Sequence, residues 1–131
     1  MARDQVLYKQ DDDAAERAYI VLVGSIDLKG MVGPDEQNFV SFGACQNGDT
    51  LGEEGVFENG QVVRKETSIA EVESYVLEIS KSSFGLMQKK LAESGFSMDW
   101  FTLTNFMKKE WIKKRSWRMK KDLEFKKINI F

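Results

Sequence analysis

Short apolar runs broken by glycine, asparagine and aspartate fill the first 80 residues, and helix-period patterning replaces them afterwards. Runs rich in β-branched and aromatic residues predict strands at Val6–Lys9, Tyr19–Val23, Ser25–Lys29, Asn38–Phe42, Gln61–Val63, Ser68–Val72 and Tyr75–Ile79. So many short strands at close spacing predict a β-sandwich or roll. Gly24 interrupts the long run from Tyr19 to Leu28. A glycine inside a strand pattern marks a bend, so the sheet is expected to turn a corner there. The stretch Lys29–Glu36 holds the only proline and reads as a loop.

Beyond the strands, Phe84, Met87 and Leu91 recur at helical spacing, with Ser82 as the expected N-cap and Gly95 as the expected stop. A second, longer helix is expected from about Ser97. Its apolar stripe would be Trp100, Leu103, Met107 and Trp111, widened by Phe101, Phe106 and Ile112. After Trp117 the pattern weakens, and residues 122–131 read as a helix end or a strand. The organisation expected is therefore a β-domain over residues 1–80, helices over 81–121 and a tail over 122–131.

A chain of 131 residues supports one domain with an appendage rather than two full domains. Its charge is unevenly distributed. Residues 1–85 carry 7 Lys and Arg against 16 Asp and Glu, and residues 86–131 carry 12 against 5. An acidic body with a basic tail favours a polypeptide partner or internal pairing over nucleic acid. The tail cations Lys108, Lys109, Lys113, Lys114, Arg115, Lys120 and Lys121 read first as a solvated helix face. There is no histidine and a single cysteine, Cys45. Disulfides, the usual zinc sites and imidazole-based catalysis are thereby excluded, and the expectation is a protein that is not an enzyme and carries no metal. The longest apolar run, Ala18–Val23, is far below the roughly 20 residues of a membrane helix, and no signal pattern opens the chain. An intracellular, cytoplasmic location is expected, including one within a larger assembly.

Two segments narrow the β-domain. Val6-Leu-Tyr-Lys-Gln-Asp-Asp12, followed by Tyr19-Ile-Val-Leu-Val-Gly-Ser-Ile-Asp-Leu28, resembles the early strands of cyclic-nucleotide-binding domains. Asn47-Gly-Asp-Thr-Leu-Gly-Glu53 is similar to the Gly-Asp-x-Phe-Gly-Glu entry into that family's phosphate-binding cassette. Arg64-Lys-Glu-Thr-Ser-Ile-Ala70, Tyr75-Val-Leu-Glu-Ile79 and Phe84 keep the family's order, so the resemblance spans roughly residues 5–95.

The resemblance implies an α+β fold: an antiparallel, jelly-roll-like β-roll with a short cassette helix after Gly52 and C-terminal helices. It also implies cAMP or cGMP as ligand. Gly52 would allow close backbone approach, Glu53 would accept from the ribose 2′-hydroxyl, and Arg64 would pair with the cyclic phosphate, with Thr67 beside it. This chain departs from the pattern in several places. Glu53 and Arg64 stand eleven positions apart, a longer interval than the family's. Lys65 and Glu66 replace small residues, Glu54 and Gly55 replace apolar or small helix formers, and a carboxylate near a phosphate would repel it. The family's leading helix and first strand have no counterpart here.

Two functions follow as expectations. The first is a regulatory module that binds cyclic nucleotide weakly if at all and relays through its C-terminal helices. The second is a non-binding β-roll serving as a scaffold subunit of a larger assembly. Three tryptophans in one helical region exceed what a small core easily buries, so Trp100, Leu103, Met107 and Trp111 are expected to dock on a protein partner.

Overall fold

The computed structural model describes residues 1–33 and 38–130, with side chains through residue 124. Seven strands form two antiparallel sheets: β1 (Val6–Tyr8), β2 (Arg17–Val23), β3 (Ser25–Val32), β4 (Asn38–Gln46), β5 (Thr50–Leu51), β6 (Thr67–Ala70) and β7 (Tyr75–Ser80). One sheet has the order β1-β6-β3-β4 and the other β5-β2-β7. Three helices complete the chain: α1 (Glu54–Phe57), α2 (Lys81–Glu93) and α3 (Ser97–Ile130).

Strand β3 shows why the sheets close on one another. Its positions alternate strictly, with Ile26, Leu28, Gly30 and Val32 buried and Ser25, Asp27, Lys29 and Met31 less so. Ile26 and Leu28 join Tyr8, Tyr19, Val21, Cys45, Leu51 and Ala70 in the core between the sheets. The expected corner lies at Gly24, because β2 belongs to one sheet and β3 to the other. Gly24 adopts a φ of +119°, and a Cβ there would stand 2.1 Å from the Ser74 hydroxyl oxygen. Only glycine fits that turn without strain.

The two sheets and the helical second half bear out the α+β roll. Three local expectations differ, one short strand was not expected, and the open reading of the tail resolves to helix. Gln61–Val63 forms no strand and contributes only an isolated bridge from Val63 to Asp13. The two-residue strand β5 was too short to register in the pattern. Strand β3 runs on through Val32 into the stretch expected as a loop, while the proline of that stretch lies outside the described residues. The N-cap of α2 is Ser80, whose hydroxyl accepts from the Ser83 amide at 3.1 Å, two residues before the serine expected. The tail up to Ile130 continues α3 and is not a strand.

Helix α3 lies across the roll rather than away from it. Trp100 and Met107 are buried, Met107 beside Ala18 and Val56. Phe57 stacks on Trp111 at 5.6 Å, and Trp117 packs against the main core. The chain's own roll thus covers most of the apolar face that the sequence assigns to a partner. Leu103 alone of the four expected contact residues is exposed, and Phe101, Phe106 and Ile112 are exposed with it.

Candidate functional site

The cassette is organised by the turn Asp49-Thr-Leu-Gly-Glu53 and the single helical turn α1. Gly52 takes a φ of +68°, and a Cβ there would meet Arg64 Nη1 at 2.5 Å. The open space that glycine provides is therefore filled by the Arg64 guanidinium. Gly55 sits so close to β2 that a Cβ would lie 1.9 Å from the Arg17 carbonyl oxygen, which explains a glycine inside α1.

Arg64 is 1% exposed. Its Nη1 donates to the Gly52 carbonyl at 2.9 Å and to Glu54 Oε1 at 3.2 Å. Its Nη2 donates to the carbonyls of Ala14 at 3.0 Å and Arg17 at 2.8 Å. The guanidinium also lies over the Tyr8 ring, 4.3 Å from its centroid. Backbone pairing fixes this inward aim: the Asp11 amide donates to the Arg64 carbonyl at 2.9 Å, and the Arg64 amide donates to the Asp12 carbonyl at 2.7 Å. Arg64 braces the cassette against the strands, the use to which a planar multi-donor cation is well suited.

Glu53 is fully buried. Its Oε2 accepts from Lys114 Nζ of α3 at 2.9 Å and from the Thr50 hydroxyl at 3.3 Å. Oε1 has no partner among the described residues. Burial raises the Glu53 pKa, and the Lys114 ammonium opposes that rise. Lys114 is itself buried and donates also to the Glu110 carbonyl at 3.2 Å. Glu66 accepts from the Tyr8 hydroxyl at 3.0 Å, and burial with the nearby Glu54 charge lifts its pKa to about 7. Thr67 stands apart, its hydroxyl accepting from the Gln10 amide at 2.9 Å.

Of the four residues that the resemblance nominates for ligand contact, Gly52, Glu53 and Arg64 come together and Thr67 does not. Lys114 and Tyr8 join them without having been foreseen, and Glu54 and Glu66, named from the sequence only as departures from the pattern, join them as internal partners. Lys114 was legible: it follows Trp100 and Met107 at intervals of seven, which places it on the buried stripe rather than the solvated face. Within the cassette Glu53, Glu54 and Glu66 face Arg64 and Lys114, and Lys65, Arg115 and Arg118 line the same cavity, so the site holds charges of both signs. The cavity left between cassette and α3 holds about 80 Å³ and is lined by Glu53, Glu54, Glu66, Trp111, Lys114 and Arg118. That is below the roughly 300–1,000 Å³ of most ligand pockets.

The second anchor of α3 lies one turn beyond Lys114. Arg118 donates to the carbonyls of Lys65 and, at 3.1 Å, Met31, and Asp122 accepts from the Gly33 amide at 3.0 Å. Cys45 is buried and its thiol is pushed up to about 12 by burial, so it is no nucleophile at neutral pH.

The fold and this cassette agree with comparison against known proteins: the model of the cyclic nucleotide-binding domain matches residues 1–90. The chain belongs to the cyclic nucleotide-binding domain family. Curated protein sequences give no match. Among solved structures, the c-di-GMP-responsive global regulator CLP of Xanthomonas campestris aligns with a TM-score of 0.70 at 18% identity, over 92% of this chain and 55% of that one. A cyclic nucleotide-binding domain from Methylobacillus flagellatus aligns with a TM-score of 0.70 at 12% identity, over 92% of this chain and 64% of that one. A cyclic nucleotide-binding-like protein from Brucella abortus aligns with a TM-score of 0.55 at 27% identity, over 68% and 72%. The chain thus spans little more than half the length of the regulator. Among the described residues, no helix of this family member is long and apolar enough to cross a membrane.

Proposed function

We propose that this chain is a regulatory module of the cyclic-nucleotide-binding type whose cassette is satisfied from within, so that it takes cAMP or cGMP weakly or not at all while α3 is docked. The observation that carries this reading is the placement of Arg64, whose two terminal nitrogens donate to four acceptors of the protein itself. A cyclic phosphate could recruit that guanidinium only by breaking such bonds, each contributing about 1.5–3 kcal/mol where a charged group takes part. The ribose-binding role that the resemblance gives to Glu53 meets the same obstacle, since Lys114 holds its carboxylate. The module is read as non-catalytic, and its output as the position of α3, presented to a protein partner.

Titration of the purified chain with fluorescent cAMP and cGMP analogues tests the reading. No saturable binding is expected below about 100 μM, a threshold corresponding to about −5.5 kcal/mol. A dissociation constant of about 1 μM or tighter for either nucleotide would overturn it.

A further inference from the structure

A second concave site lies between α2 and α3 and touches the cassette only through Phe57 at the end of α1. Helix α2 is thirteen residues long and buries none of them. Helices of that length depend on tertiary packing for stability, so a face this thinly covered is unusual. Between it and α3 runs a groove of about 450 Å³, walled by Phe57, Phe84, Trp100 and Phe101, with Thr104 and Lys108 toward one end. That volume falls within the range of small-molecule sites.

The walls are ordered by mutual aromatic contact. Phe57 meets Phe84 edge-on at 5.7 Å, and Phe84 meets Trp100 at 4.5 Å. Trp100 is buried, whereas Phe101 is 58% exposed. Lys108 lies over Phe57, its Nζ 5.7 Å from the ring centroid, and no carboxylate pairs with it among the described residues. The groove therefore joins flat aromatic surface to the ammonium of Lys108.

We propose that this groove binds small planar aromatic anions, of which an aromatic carboxylate is the simplest class. The ring stacks on Phe101 against the Phe84–Trp100 wall, and the carboxylate lies within reach of Lys108. The site is independent of cyclic nucleotide, so the fate of the cassette reading does not decide it.

The test titrates naphthalene-2-carboxylate, its uncharged carboxamide and the matching naphthylmethylammonium into the intact chain, followed by Trp fluorescence and by amide chemical shifts. Saturable shifts at Ala92, Thr104 and Lys108 are expected, with the carboxylate bound tighter than the carboxamide and the ammonium weakest. Because Lys108 is exposed, Lys108→Met should leave the fold intact and weaken the carboxylate about threefold to fivefold, to the level of the carboxamide, the range for an exposed ion pair. Salt at about 0.5 M should shrink the same difference, while Phe101→Ala should weaken all three ligands. Absence of saturable shifts up to about 2 mM, a level of interaction near −4 kcal/mol, would overturn the proposal. So would equal binding of the three charge forms, or a carboxylate preference untouched by Lys108→Met.

Discussion

Replacing Lys114 with methionine keeps most of the buried stem and deletes the ammonium that faces Glu53. The Glu53 carboxylate, fully buried, would lose its one cationic partner among the described residues and keep the Thr50 hydroxyl at 3.3 Å and a backbone amide. A carboxylate stranded in that way takes up a proton rather than stay charged. The sign of the resulting pH dependence follows. Burial already raises the Glu53 pKa, and loss of Lys114 removes the chief opposing cause, so the folded value rises further above that of the unfolded chain. A group raised in the folded state is fully stabilising below its unfolded pKa, and that stability is lost as pH rises. Measured from an ordinary glutamate value of about 4.3, keeping Glu53 neutral costs up to about 3.5 kcal/mol at pH 7 and about 1 kcal/mol at pH 5. The upper figure agrees with the roughly 3–5 kcal/mol found when one partner of a buried ion pair is removed. Urea melts of Lys114→Met should therefore show a loss approaching 3 kcal/mol at pH 7 that shrinks to about 1 kcal/mol at pH 5. Adding Glu53→Gln should recover most of the pH 7 loss, and amide exchange should quicken along α3 in the single variant. Equal losses at both pH values, or a double variant no more stable than the single one, would refute the reasoning.

Arg64→Gln should leave several buried carbonyls and Glu54 short of donors, costing about 3–5 kcal/mol and lowering Tm by about 10 °C or more. A thermal melt checks it, and a shift of a degree or two would mean that Arg64 is no brace. Glu66→Gln should act in the opposite direction and in a defined pH window. With its folded pKa near 7, Glu66 stabilises below the unfolded value and loses that contribution as pH rises to about 7. A glutamine, which keeps an acceptor for the Tyr8 hydroxyl but has no charge to set against Glu54 and Glu53, should match the wild type near pH 4. It should exceed it by about 1–2 kcal/mol above pH 7.5, after discount for solvent screening. Denaturation at the two pH values decides between that and a constant difference.

The roll was legible because its signals are local. Alternation along Ser25–Leu28, the glycine at the corner and the Gly-Asp turn each need only a few neighbouring residues to be read. Strand β5, at two residues, is held by pairing with Tyr19 and Ile20 rather than by any pattern of its own. The start of α2 was displaced because three serines stand together at 80, 82 and 83, and the choice of cap falls to the hydroxyl at the end of β7. The apolar stripe of α3 was read correctly as a surface needing cover. What it packs on depends on contacts across 50 residues or more, such as Lys114 with Glu53. The candidate site was half legible for the same reason: the motif supplied Gly52, Glu53 and Arg64, and the partners that engage them come from Ala14, Arg17 and α3.

The inward aim of Arg64 changes what retention of the motif means. Residues 64–66 lead from the bridge at Val63 through a bend at Lys65 and Glu66 into β6. Arg64 enters the roll, Lys65 is exposed, and Glu66 turns back toward Tyr8. The cation facing outward at the cassette is therefore a lysine one position later, and its carbonyl already accepts from Arg118 of α3. An arginine at position 64 and a glycine at position 52 form a matched pair, because the guanidinium occupies the volume that a side chain at 52 would need. Both residues are thus required by the fold whether or not a phosphate ever enters. In this chain the cassette sequence reports on how α1, β2 and β1 are tied together, and the capacity to hold a ligand rests on what could free Glu53 and Arg64 from their internal partners.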